Sequence, residues 1–221
     1  ARGRGYTILQ IDAHIDWRDE VQGERLGLSS SMRRASEMDH VEAIIQVGQR
    51  GIGSARMQDV ADAESWGVGF VPAGEVSRYG IDRALDLIAE GAEVIVCLDL
   101  DALDPAIMPA VIGRTAGGLG YWQVLELIAG VAEKARIVGF DMVEFMPERD
   151  IDGQGAAVAA QSDFFDDPFG RVYRSIPQIW ATVLAPDGAA RALKVRDLHR
   201  SIQGRDAAGQ SFHALDPETF W

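Results

Sequence analysis

The sequence predicts an α/β protein in which helices cover both faces of a mainly parallel sheet, followed by a small helical segment. Short apolar runs alternate with helical patterns along the first 160 residues, in the order β-α-β-α. The charge then changes near Gln161, since residues 1–161 carry a net charge of −12 and residues 162–221 carry −1. We therefore expect an α/β domain over residues 1–160 and a helical C-terminal segment over residues 161–221.

Five strands are predicted from apolar runs that are bounded by polar or turn residues. Such runs are typical of strands that are buried on both faces, as in a parallel sheet. Sheets of this kind bind ligands at the carboxyl ends of their strands, so a functional site is expected directly after them. The strand candidates are Tyr6 to Ile11, Ala43 to Val47, Val68 to Val71, Glu93 to Leu98, and Ile137 to Phe140.

Helices are predicted where apolar residues recur at helical spacing, as Leu125, Leu127 and Val131 do. In the first segment the helical patterns are Ser31 to Glu37, Ser54 to Glu64, Ile81 to Glu90, and Tyr121 to Glu133. In the last segment a Pro-Asp-Gly turn sequence separates two further patterns, Ile176 to Leu184 and Ala189 to Arg200. The last segment is therefore expected to be all-helical.

The composition, with 47% hydrophobic and 25% charged residues, is that of a globular protein. The 34 acidic and 21 basic residues give a net charge of −13, which makes nucleic acid an unfavourable partner. No apolar run reaches the roughly 20 residues that span a bilayer, and no signal-peptide pattern is present, so we expect no membrane partner and a cytoplasmic location. The single cysteine, Cys97, leaves oxygen and imidazole ligands for any metal.

Acidic residues follow two of the predicted strands at intervals of two. Asp12, His14 and Asp16 follow the first strand, and Asp99 and Asp101 follow the fourth. Side chains at this spacing point to one side of an extended chain, so the two runs can converge. Crowded carboxylates repel one another unless cations neutralise them, and mixed carboxylate and imidazole ligands suit a pair of Mn²⁺ ions. Because two metals lower the pKa of a shared water, the runs predict metal-assisted hydrolysis.

An alternative interpretation is that these aspartates are caps and turn residues, which are common where a strand ends. Either run alone is compatible with that role. Two runs with the same spacing at two strand ends favour the metal site.

The acidic runs resemble the metal-binding motifs of the ureohydrolases, the arginase and agmatinase family. The stretch CLDLDALDPAIMPAVIGRTAGGL, residues 97–119, resembles the second signature of that family. The stretch GFDMVEFMP, residues 139–147, resembles the one in which the family has a glutamate that meets the substrate guanidinium. Over residues 5–160 the resemblance implies a homo-oligomer with a three-layer α/β/α fold, arginase-like but lacking the family's N-terminal third.

The resemblance also implies two Mn²⁺ ions per chain and a set of site residues. Glu144 would bind and orient a small guanidino substrate, and Asp104 would position the water or the departing amine. The implied reaction is hydrolysis of the guanidino group to urea and an amine, with an agmatine-like substrate. The implied metal ligands are Asp12, Asp16 and Asp99 for one ion and Asp12, His14, Asp99 and Asp101 for the other.

The match departs from the family at one metal ligand. The family has a further histidine in a Gly-Gly-Asp-His stretch ahead of the first motif, and no residue before Asp12 supplies it. A second interpretation therefore stays open: the chain is a protein of the same fold that binds metal or a guanidino ligand without turnover.

The end of the sequence resembles a different family, the haem-containing oxygenases related to latex-clearing protein. The resemblance covers residues 155–221 and is carried by DPFGR at 167–171, Val195-Arg196 before His199, and ALDP at 214–217. It implies that His199 is an axial haem ligand. A further alternative is therefore a fusion whose C-terminal part is a fragment of such an oxygenase.

Overall fold

The computed structural model describes residues 5–51, 53, 55–160, 179–184 and 190–194 and confirms the α/β class. The strands are β1 (Tyr6–Ile11), β2 (Val41–Val47), β3 (Gly69–Val71), β4 (Glu93–Asp99), β5 (Arg136–Phe145), β6 (Ile179–Leu184) and β7 (Ala190–Lys194). The helices are α1 (Ser31–Ser36), α2 (Met57–Trp66), α3 (Ala73–Tyr79), α4 (Asp82–Asp86), α5 (Tyr121–Lys134) and α6 (Gln154–Ala160).

The strands form one sheet in the order β3-β2-β1-β4-β5-β6-β7. All neighbouring pairs are parallel except β6 and β7, which are antiparallel. The five predicted strands are all present, so the prediction of a mainly parallel sheet is confirmed. The helix predicted over Ile81 to Glu90 is shorter in the structure, where α4 covers only Asp82–Asp86. Helix α3, which was not predicted, precedes it. The pattern missed α3 because Val76 is the one large aliphatic residue within it.

Both faces of the sheet are buried, and side chains along β1 alternate between two cores. Ile8 packs in one cluster with Trp17 and Met32, whereas Leu9 and Ile11 pack in the other. Helices α1 and α2 contribute to the first cluster, and α3 to α6 contribute to the second. The three-layer α/β/α arrangement is therefore confirmed for the described part of the chain.

The helix α5 shows how sequence spacing produces this cover. Val124, Leu125, Ile128 and Val131 fall on one side of the helix and are buried, whereas Trp122 is exposed. Their spacing of one, three and four residues is that of an amphipathic helix facing a core. At 14 residues α5 is the longest described helix. No helix within the described ranges is long and apolar enough to cross a membrane.

The structure differs from the sequence prediction in the last segment. Strands β6 and β7 occupy positions where the helical patterns Ile176 to Leu184 and Ala189 to Arg200 were predicted. Ile179–Leu184 is rich in β-branched residues, and pairing with β5 satisfies the backbone groups at the edge of that strand. Periodicity cannot separate a short apolar helix from a buried strand, which explains the error. The remaining residues of 161–221 lie outside the described residues.

The sheet places the two acidic runs side by side. β1 and β4 are parallel neighbours in a register that pairs Ile11 with Leu98, so Asp12 and Asp99 leave the sheet at the same edge. The backbone amide of Asp12 still donates to the Val47 carbonyl of β2, at 2.9 Å. After β4 a single 3-10 turn, Leu100–Ala102, redirects the chain. The carboxyl edge of β1 and β4 is therefore where the site is built.

Gly48 closes this edge from the end of β2. Its φ is +108°, and a Cβ atom there would lie 2.9 Å from the Asp12 carbonyl oxygen. We predict that Gly48→Ala lowers the free energy of unfolding by at least about 1 kcal/mol, because the residue would be both strained and crowded.

Gly74 in α3 provides the matched control, since it is exposed with no atom within 4 Å of a Cβ position. Gly74→Ala should raise the free energy of unfolding by about 0.5–1 kcal/mol through helix propensity. Chemical denaturation of both variants checks the pair, and equal effects would contradict the role given to Gly48.

Candidate metal centre

A cavity of about 570 Å³ opens at the carboxyl ends of the central strands. Trp17, Met32, Ile112 and Val143 supply apolar parts of its wall. It is also lined by every predicted metal ligand and by the predicted substrate-binding glutamate, namely Asp12, His14, Asp16, Asp99, Asp101 and Glu144. Segments that are far apart in the sequence thus meet in one concave site.

The tightest group in the cavity consists of Asp12, His14 and Asp101. The Nδ1 atom of His14 lies 3.3 Å from Asp12 Oδ1 and 3.0 Å from Asp101 Oδ2. One candidate ligand atom from each residue lies within 4.8 Å of the other two. These three residues come from both acidic runs, and their separation suits binding of a shared cation.

Both runs begin with the same local turn. Asp12 Oδ1 accepts a hydrogen bond from the backbone amide of His14 at 2.6 Å, and Asp99 Oδ1 accepts one from Asp101 at 2.8 Å. These are the contacts of aspartates that act as turn residues. The turn role and the convergence in one cavity therefore coexist, because each turn uses only one of the two carboxylate oxygens.

Burial makes the carboxylates of this cluster hard to ionise without a cation. It raises the pKa of Asp12 to about 8 and that of Asp16 to about 6, and with the charge of Asp12 it holds the pKa of Asp99 well above the ordinary value. Hydrogen bonds to Asp101 and Asp12 raise the pKa of His14 to about 10. The metal-free site therefore holds protons where a cation would otherwise compensate the charge.

Asp101 behaves differently from the other buried carboxyls. Burial opposes its ionisation, but the hydrogen bond and positive charge of His14 outweigh burial and keep the pKa of Asp101 below its ordinary value. Its Oδ1 also accepts the Ala13 amide at 3.2 Å. Asp101 and His14 thus form an internal ion pair that a divalent cation would replace.

The donor set fits a hard divalent metal ion. The Asp12, His14 and Asp101 atoms that meet are carboxylate oxygens and one imidazole nitrogen, which suit Mn²⁺ and similar ions. Asp16 and Asp99 line the same cavity, so they could complete such a site. The raised pKa values of the carboxyls are a physical reason to bind positive charge here.

Two residues of the site have a strained backbone. Asp16 has φ of 49° and Glu144 has φ of 67°, in the left-handed region that favours glycine. Glu144 stands at an irregularity between Met142 and Phe145 in the register of β5. Such strain costs on the order of 1–3 kcal/mol and persists where side-chain direction matters. The strain therefore marks Asp16 and Glu144 as residues whose orientation is imposed by the fold.

Glu144 is half-buried in the cavity wall. Burial and the charge of Asp101 raise its pKa, whereas His14 and a hydrogen bond from the Ile112 backbone oppose this.

Asp16, in the acidic run after β1, has a hydrogen-bond partner that orients it. The Ser31 hydroxyl donates to Asp16 Oδ2 at 2.9 Å. Ser31 therefore fixes the direction of a carboxylate that sequence reasoning had assigned without a partner.

Two buried glutamines that sequence reasoning missed support the cluster from below. Gln10 Nε2 donates to Asp12 Oδ2, and Gln46 Nε2 donates to Gln10 Oε1 and, at 2.7 Å, to the Ile15 carbonyl. Both glutamines are almost fully buried. A polar residue inside an apolar strand run was the available signal, because such a residue must find a partner when it is buried.

Asp141 is a further residue that sequence reasoning did not assign. It lines the cavity next to Cys97, and its Oδ1 has no hydrogen-bond partner within the described residues. Burial raises the pKa of the Asp141 carboxyl and of the Cys97 thiol. The sequence feature that could have identified Asp141 is its place as an acidic residue inside the largely apolar stretch GFDMVEF.

Asp104 lies apart from the cavity lining. Its Oδ1 accepts the Ala106 amide and its Oδ2 accepts the Gly117 and Gly118 amides, each at 3.0 Å. These contacts favour a role in holding the loop, and the catalytic role stays a prediction. The possible haem ligand His199 lies outside the described residues.

The fold and the site define a class: a three-layer α/β/α protein with a carboxylate and imidazole cluster at the carboxyl edge of its sheet. The sequence pattern of the arginase family matches residues 1–162. The chain belongs to that family.

Individual relatives agree with this assignment. The N(1)-aminopropylagmatine ureohydrolase of Thermus thermophilus is 34% identical over 142 residues, which cover 64% of this chain and 47% of the relative. The agmatinase of Pyrococcus horikoshii is 32% identical over 144 residues, covering 65% of this chain and 48% of the relative. The agmatine ureohydrolase structure from Thermoplasma volcanium superposes with a TM-score of 0.65 at 28% identity, covering 76% of this chain and 56% of that chain.

The chain spans about half the length of the curated relatives it matches. A second pattern, that of the catalytic domain of the ER-bound oxygenase mpaB/B'/rubber oxygenase family, matches residues 152–221. Both resemblances stated from the sequence are thereby confirmed as resemblances.

The pKa values of the cluster predict how the stability of the metal-free chain depends on pH. Asp12 loses its proton near pH 3.8 when unfolded and near pH 8 when folded, so the stabilisation present below 3.8 is lost as pH rises through about 8. For His14 the stabilisation present below 6.5 is lost as pH rises through about 10. The free energy of unfolding should therefore fall between about pH 5 and pH 9.

Urea denaturation of chelator-treated protein at three pH values across this range measures the fall. Asp12→Asn should give a shallower dependence on pH, because it removes the titration of Asp12 and the charge of Asp12 that helps to raise the pKa of His14. A stability that rises with pH in the parent chain would contradict the prediction.

Proposed function

We propose that this chain hydrolyses the guanidino group of a small linear substrate to urea and an amine. The observation that carries the proposal is the buried cluster of Asp12, His14 and Asp101 in one cavity with Glu144. One curated relative is named a ureohydrolase and another an agmatinase, which supports the same reaction class. We further propose two Mn²⁺ ions per chain, held by Asp12, His14, Asp16, Asp99 and Asp101.

The residues of the cavity divide the work. Glu144 offers a carboxylate for a bidentate hydrogen bond to a planar guanidinium, and its imposed backbone conformation fixes the direction of that carboxylate. When bound, the metal ions supply Lewis acidity that activates water at neutral pH. The apolar wall formed by Trp17, Met32 and Val143 limits access of bulk water and so strengthens the charge interactions inside.

The tail of the substrate is proposed to be agmatine-like, which would place the reaction in polyamine metabolism. The names of the two curated relatives support this choice. One observation favours a second candidate, a substrate with a carboxylate tail. Arg18 and Arg34 line the cavity, whereas the carboxylates with which they pair do not: Asp59 for Arg18, and Asp19 and Glu37 for Arg34.

A homo-oligomer and a cytoplasmic location are also proposed. A protein of the same fold that binds metal or a guanidino ligand without turnover is the rival to the enzyme.

We predict urea release by the Mn²⁺-loaded chain from at least one member of a matched panel: agmatine, 4-guanidinobutyrate and arginine. If agmatine is the best substrate, the agmatine-like tail is supported. If 4-guanidinobutyrate is the best substrate, the carboxylate tail suggested by Arg18 and Arg34 is supported. Metal uptake without urea from any of them contradicts the enzyme and favours the binding protein.

Two substitutions separate the metal site from the substrate site. Glu144→Gln should lower kcat/KM by about 10- to 100-fold, the value of a charged hydrogen bond of about 1.5–3 kcal/mol, with Mn²⁺ affinity unchanged. Asp99→Asn should lose Mn²⁺ and urea release together. Glu148→Gln, at an exposed residue of the following turn, is the control and should change neither.

A further inference from the structure

Arg50 joins the separate segments that carry the metal ligands. It lies three residues after the end of β2, and its guanidinium makes six hydrogen bonds to backbone carbonyl oxygens, at 2.7 to 3.2 Å. The acceptors are the carbonyls of Gly48, Asp101, Ala102, Leu103 and Thr115. Three of these are consecutive carbonyls at the end of the turn that follows β4, where backbone acceptors lack partners within the turn.

The contacts of Arg50 form a closed circuit with Asp101. Arg50 Nη2 donates to the Asp101 carbonyl at 2.7 Å, and the Arg50 amide donates to the Ala13 carbonyl at 3.1 Å. The Ala13 amide in turn donates to Asp101 Oδ1 at 3.2 Å. Through Arg50 and Ala13, hydrogen bonds therefore hold both the main chain and the side chain of Asp101 in place relative to the run that carries Asp12 and His14.

Arg50 also holds the loop above the cluster. Its Nε and Nη2 atoms donate to the Thr115 carbonyl at 3.1 and 2.8 Å. Two residues earlier, Gly113 approaches so closely that a Cβ atom there would lie 3.3 Å from His14 Cε1 and 3.5 Å from Asp101 Oδ2. The position of this loop thus decides how much room His14 and Asp101 have.

We propose that Arg50 is a positioning residue that sets the Asp101 carboxylate and the His14 imidazole at the spacing required for metal binding. The inference rests on the proposed metal site and adds a residue to it that holds no metal itself. Only a planar guanidinium presents five N–H donors in a fixed fork, so lysine keeps the charge but cannot reach the same carbonyls together. Partners that orient ligands in this way typically contribute 10- to 100-fold to metal affinity.

The test is the dissociation constant for Mn²⁺, measured by calorimetry on chelator-treated protein at low temperature. Arg50→Lys and Arg50→Met should both weaken binding by about 10- to 100-fold. Arg114→Lys is the matched control, because Arg114 also donates to carbonyls near this loop, those of Pro109 and Arg149, and among the described residues it donates to no carbonyl of a proposed metal ligand. The control should bind Mn²⁺ within about threefold of the parent chain, a tolerance well below the expected loss.

Near-UV circular dichroism before each titration confirms that a variant is folded. Folded Arg50 variants with parental Mn²⁺ affinity would overturn the proposal, even if their melting temperatures fall, because the residue would then act on stability alone. Arg50 variants that fold neither with nor without Mn²⁺ would also overturn the proposal, because Arg50 would then be required for folding and not specifically for metal binding. If the parent chain itself takes up no Mn²⁺, the proposed metal site is wrong. This result differs from the one in which the parent chain binds Mn²⁺ and the Arg50 variants bind it equally well, which contradicts only the role of Arg50.

Discussion

Like charges buried side by side are the constraint on which this structure depends. Asp12, Asp16, Asp99 and Asp101 share one cavity, and burial together with mutual repulsion raises the pKa of Asp12, Asp16 and Asp99. The fold answers with His14, which serves as an internal cation between Asp12 and Asp101. Such an arrangement is costly for a protein that only needs a stable core, because buried carboxylates are replaceable by apolar residues. Its presence is consistent with the cation site that we propose.

The sheet order explains why the cluster forms where it does. The chain lays β2 and β3 on one side of β1 and then returns to place β4 on the other side. The connections therefore leave β1 and β4 in opposite directions, which opens a crevice at their carboxyl ends. Asp12 and Asp99 are the first residues at that crevice, and Glu144 reaches it from β5. Asp16 and Glu144 both hold left-handed backbone conformations, which are unfavourable for residues other than glycine.

The local part of the site could be predicted because its signals are local. The five strands of the first segment follow from apolar runs, and the spacing of Asp12, His14 and Asp16 follows from the geometry of an extended chain. The two strands of the last segment could not be predicted in this way. The state of β6 is decided by pairing with β5, a strand that lies more than 30 residues away in sequence, and β7 pairs in turn with β6.

The sequence by itself determined the alternation of strands and helices, the two acidic runs and the family to which they belong, because each depends on residues close together in the chain. Only the tertiary structure decided that Gln10 and Gln46 support Asp12 from below, that Asp141 faces the cavity, and that Arg50 joins the two ligand-bearing segments to the loop at Thr115. Apart from the local contact of Gln10 with Asp12, these hydrogen bonds join residues that lie 36 to 65 positions apart in the sequence. Which of the many polar side chains meet across such separations is set by strand order and register, and no local pattern encodes that order.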